Sequence, residues 1–75
     1  MKESILKIIQ EVSGKPDVPS DDESLFDSGL LDSFALTDMV AALETTFGIK
    51  VPDSDLNPRK FDTVDKIAAY VESRK

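Results

Sequence analysis

Three runs of apolar residues at helical spacing, separated by segments that cannot continue a helix, constrain this chain more than any other feature. From about Lys2 to Ser13, Ile5, Ile8, Ile9 and Val12 recur on one face, with Glu3 and Lys7 placed as a favourable i,i+4 pair. Gly14 supplies a helix stop, and Pro16 and Pro19 hold the next residues extended. After Asp32 and Ser33, both good N-cap types, Leu36, Met39, Val40, Leu43 and Phe47 line one face of a second helix, which Gly48 ends. Asp62 or Thr63 can cap a last helix with Val64, Ile67, Ala68 and Val71 on its buried side.

The connections are equally telling. Residues 20–31 are acidic at first, yet Leu25, Phe26, Leu30 and Leu31 supply enough apolar surface to predict an ordered loop pinned on the core. Residues 53–57 have room for one short helical turn before Pro58. No strand pattern or repeat competes, so the expectation is an all-α, small four-helix bundle with three main helices, one short helix and a long loop between helices one and two. At 75 residues, 1–75 reads as one domain with little room for an enclosed active site.

Charge and missing residue types narrow the function. Fifteen acidic residues against nine basic give a net charge of −6, a field that repels phosphate backbones and anionic lipid, so neither nucleic acid nor membrane insertion is expected. Enzymes with basic patches are the natural partners, met by a monomer. The chain has no cysteine and no histidine, which removes disulfides, thiolate nucleophiles, imidazole bases and the usual zinc ligands. Lys7, Gln10 and Glu11 interrupt any signal-peptide core, and the expected location is cytoplasmic. Residues 53–57 imitate the start of a calcium loop, but Pro58 stands where glycine is needed and Val64 where a bidentate glutamate would close the sphere, so no metal site is expected.

An Asp-Ser pair before a helix is, by itself, most simply a cap. The wider run Leu25-Phe26-Asp27-Ser28-Gly29-Leu30-Leu31-Asp32-Ser33-Phe34 carries more information, continued by Phe47-Gly48-Ile49-Lys50-Val51-Pro52 and the helix start Thr63-Val64. Over nearly the whole chain this order resembles the acyl carrier protein family. The resemblance implies that a phosphopantetheinyl transferase attaches 4'-phosphopantetheine covalently to Ser33, with Asp32 assisting the modification step through a transient magnesium ion. It implies a carrier and not an enzyme, holding acyl intermediates as thioesters for acyl-loading and acyl-processing enzymes of fatty-acid, lipid or polyketide-type biosynthesis. The absent cysteine fits, because the arm would bring the thiol.

Other readings stay open on the residues alone. Phe34, Ala35, Ala41 and Thr45 depart from the commonest fatty-acid pattern, and the run 26–33 also looks like stand-alone aminoacyl or peptidyl carriers. An unmodified helical interaction domain is the alternative from another class. Phe34, beside Ser33, is a candidate apolar anchor for partners, and Asp38 and Glu44 on the polar side of the second helix are candidate contacts for basic patches. The apolar faces of the second and last helices are expected to oppose each other and to open for a short acyl chain, whereas a polar aminoacyl group would stay in solvent.

Overall fold

A computed structural model describes residues 1–75 and contains three α-helices, α1 (Lys2–Ser13), α2 (Ser33–Phe47) and α3 (Val64–Arg74), with a 3-10 turn at Asp53–Asp55. Each helix buries the stripe its spacing predicts: Ile5, Ile8 and Ile9 on α1, Leu36, Met39, Val40 and Leu43 on α2, and Val64, Ile67 and Val71 on α3. Val12, Phe47 and Ala68, expected on the same stripes, are only partly buried against the core. The predicted short helix is a single 3-10 turn.

Helix ends follow local chemistry. The Asp32 carboxylate accepts from the Ala35 amide at 2.8 Å, and the Thr63 hydroxyl accepts from the Lys66 amide at 3.0 Å, each satisfying a donor that a helix leaves open. Thr63 and not Asp62 therefore caps α3. Gly48 closes α2 at φ 66, a left-handed conformation that costs a residue with a Cβ roughly 1–2 kcal/mol.

The core is one cluster to which all three α-helices and the segments between them contribute, the 3-10 turn adding no buried residue. α1 packs directly against both α2 and α3, whereas α2 and α3 approach each other only marginally, so α1 is the hub instead of one of three equal members. The long loop between α1 and α2 is ordered, as its leucines predict. Leu25, Leu30 and Leu31 are buried, each contributing about 1.5–3 kcal/mol of apolar transfer. The Leu25 amide donates to the Asp62 carbonyl at 2.6 Å and the Ser24 hydroxyl to the Asp62 carboxylate at 2.7 Å, which fixes the loop to the start of α3.

Lys2 completes that attachment. Its ammonium meets Asp21 at 2.8 Å and Asp65 at 2.9 Å, while the Asp65 amide donates to the Asp21 carbonyl at 3.1 Å. Bonding to Asp21 and then to Asp65 raises the Lys2 pKa well above its ordinary value. The expected Glu3–Lys7 pair does not form within ion-pair distance. A cation one residue from the chain start is instead used to bridge two acidic segments. No helix is long and apolar enough to cross a membrane.

Candidate functional site

Ser33 is the first residue of α2 and is exposed. Because Asp32 caps the helix, the Ser33 hydroxyl is freed from the capping duty that the sequence left open between the two residues. The carbonyl of Asp32 takes the Leu36 amide at 3.2 Å and its carboxylate takes the Ala35 amide, so the amides of Ser33 and Phe34 are among those still open at this end. Open amides and the positive end of the helix dipole favour a phosphodiester here.

The chain offers the Ser33 hydroxyl no histidine or cysteine as a base. The Asp32 carboxylate uses one oxygen on Ala35, and the other accepts no hydrogen bond within the chain.

Phe34 is 85% exposed, far beyond any other large apolar side chain on α2. Asp38 lies one turn on, also exposed and in no ion pair. Asp32, Ser33, Phe34 and Asp38 are thus gathered at one end of the helix. Glu44 is not: eleven residues separate it from Ser33, roughly 16 Å along the axis at 1.5 Å per residue. It is half-buried, and its carboxylate accepts from the Val51 amide at 2.8 Å. The sequence placed Glu44 on a solvated polar face, whereas the structure makes it first a strut between α2 and the segment that follows.

Two features escaped the sequence. A groove of about 370 Å³ lies between the end of α1, the turn at residues 29–31 and the first turns of α2, lined among others by Val12, Lys15, Leu31, Phe34, Ala35 and Asp38. Lys15 is the only basic residue in the span 8–49, a countable signal that could have marked it. The second is a polar lock at residue 55: the Asp55 carboxylate meets Lys60 at 2.6 Å and the Tyr70 hydroxyl at 2.7 Å. Lys60 first, and Tyr70 next, hold the Asp55 carboxyl below the usual carboxylate range, while burial and then Asp55 push the Tyr70 phenol up. The carboxylate at the centre of the calcium-like segment is therefore engaged inside the chain.

In the unloaded chain no slot stands open between α2 and α3. Met39, Leu43, Ile67 and Val71 are fully buried, and the two depressions in the surface lie elsewhere, one beside Ser33 and one along α1 near Ser4 and Glu11.

Comparison with known proteins agrees with this geometry. Residues 3–71 match a family model described as a phosphopantetheine attachment site. The chain is 40% identical over 72 residues to a D-alanyl carrier protein of Lactobacillus acidophilus, covering 96% of the chain and 91% of that protein. It is 40% identical over 76 residues to a D-alanyl carrier protein of Lactococcus lactis subsp. lactis, covering 100% and 96% respectively. A D-alanyl carrier protein of Leuconostoc mesenteroides subsp. mesenteroides is 36% identical over 73 residues, with 97% and 94% covered.

Proposed function

Since the chain belongs to the phosphopantetheine-attachment family of carrier proteins, we propose that residues 1–75 form one monomeric, cytoplasmic carrier unit that bears its arm on Ser33 and holds an aminoacyl cargo, D-alanine, as a thioester. The observation that carries the attachment residue is an exposed hydroxyl at the start of α2 with the capping role taken by its neighbour.

When bound, the arm supplies the thiol that the chain lacks. All else falls to the chain's own residues. Ser33 Oγ forms the bond to phosphorus as the pyrophosphate link of coenzyme A breaks and adenosine 3',5'-bisphosphate departs, the serine proton passing to a base of the transferase. The Asp32 oxygen not used on Ala35 would hold a transient magnesium ion, which would supply positive charge to the transfer, and the open amides of Ser33 and Phe34 offset negative charge on the phosphate. Phe34 gives partner enzymes an apolar anchor, and Asp38 pairs with a basic residue beside it. Glu44 contributes only the carboxylate oxygen that Val51 leaves free.

Among the cargo classes, the aminoacyl reading is favoured over a fatty-acyl, lipid or polyketide one on two grounds. The three relatives named above are D-alanyl carriers. The closed packing of Met39, Leu43, Ile67 and Val71 offers an acyl chain no ready slot, whereas a D-alanyl group is small and charged and gains nothing from burial.

A loading panel tests the cargo. The arm-bearing protein is incubated with D-alanine, L-alanine or octanoate, each with an ATP-dependent enzyme that activates that carboxylate, and the products are read by intact mass. D-alanyl loading at the highest kcat/KM is expected. Preferential octanoyl loading would overturn the cargo while leaving the attachment intact.

A further inference from the structure

The groove beside Ser33 has a composition that suits one ligand. Lys15, the sole cation of residues 8–49, is placed on it, and its ammonium donates only a long 3.3 Å bond to the Gly29 carbonyl. Two of its three N–H groups have no acceptor in the chain. The walls are mixed, with Val12, Leu31, Phe34 and Ala35 apolar and Asp32 and Asp38 acidic at the α2 side. At about 370 Å³ the groove falls within the range of roughly 300–1,000 Å³ typical of small-molecule sites.

Its position selects the occupant. Asp32 and Phe34, the residues on either side of Ser33, both line the groove. Helical side chains lean towards the N-terminus, so Ser33 Oγ stands over the end of α2, from where a flexible substituent can turn past Asp32. Lys15 offers a cation to phosphodiester oxygens and amide carbonyls, and Phe34 with Ala35 offers apolar surface to a branched alkyl group.

Resting on attachment at Ser33, we propose that this groove is the resting seat of the chain's own phosphopantetheine arm, with Lys15 as its cation. The arm folds towards α1 when no partner is bound and swings out when Phe34 is engaged. The seat shields the thiol between encounters without closing it in.

Amide NMR of the full chain with and without the arm tests this, with intact mass confirming complete modification of every arm-bearing sample. The seat predicts shifts at Val12, Lys15 and residues 29–31 as well as beside Ser33. In the Lys15→Ala protein the remote shifts should collapse, and alkylation of the arm thiol by a bulky maleimide should become several-fold faster. Lys15→Arg should restore both. Shifts confined to the neighbours of Ser33, shifts on α3 instead, or alkylation rates equal in wild type and Lys15→Ala would overturn the seat while attachment stands. A wild-type chain that gains no arm mass would remove the attachment and the seat together.

Discussion

The two ends of α2 are built differently. At its C-terminal end Gly48 closes the helix on the Glu44 carbonyl, the Glu44 carboxylate reaches forward to the Val51 amide, and Arg74 from the end of α3 donates to the Lys50 carbonyl at 3.2 Å. At its N-terminal end one side chain, Asp32, holds one amide, and Ser33 and Phe34 stand in solvent with their amides open. Helix ends leave similar numbers of unsatisfied groups, so the contrast is one of use. The tight end uses its side chains within the fold, and the spare end leaves a hydroxyl, open amides and an aromatic surface exposed.

Removing the strut at the tight end should have the largest effect on stability. Glu44→Ala leaves the Val51 amide without its acceptor beside a buried residue and should cost about 1–3 kcal/mol. In a domain of this size each kcal/mol lowers Tm by about 4–8 °C. Glu44→Gln keeps an acceptor oxygen and should recover most of the loss in thermal melts. Equal losses for the two variants would deny the strut and return Glu44 to the solvated face.

At the spare end, Asp32→Ala should cost about 1 kcal/mol through loss of the cap. Asp32→Asn retains a capping oxygen and should melt like wild type, yet be modified more slowly because the charge is gone. If Asp32→Asn were modified at the wild-type rate, Asp32 would be a cap and nothing more.

The smallest effect concerns the lock at Asp55, and it depends on pH. The Lys60 ammonium and the Tyr70 hydroxyl depress the Asp55 pKa in the folded chain. A depressed value means that the stabilisation is present above the unfolded-state pKa, roughly 3.9, and is lost as pH falls through the folded value. Asp55→Asn should therefore melt lower than wild type at neutral pH and match it once wild-type Asp55 is protonated. A difference that persisted unchanged into acid would point to packing instead of charge.

Local periodicity made the helices legible. The bounds of α1, the buried stripe of α2 and the Thr63 option for capping α3 all follow from residues three and four apart and from caps next to them. The exposure of Phe34 was legible for the same reason, since the residue falls off the apolar stripe. What local spacing could not show are contacts between distant segments. Lys2 joins Asp21 and Asp65, Asp55 joins Tyr70, and Glu44 reaches past Gly48 to Val51. Each choice is made by tertiary packing among several oppositely charged or polar candidates. The hub position of α1 is hidden likewise, because three amphipathic stripes do not say which helix lies between the others. At the site, Asp32 and Ser33 were both visible as caps, and only backbone geometry assigns the cap to Asp32.

We propose a single attachment point for the arm of this carrier, the Ser33 hydroxyl. Wild-type and Ser33→Ala proteins are incubated with a phosphopantetheinyl transferase and coenzyme A, and intact mass is measured alongside a thermal melt. Wild type should gain one arm and Ser33→Ala none, with the two apo proteins melting together because Asp32, not Ser33, is the cap. An arm on the Ser33→Ala protein, or none on wild type, would contradict the account.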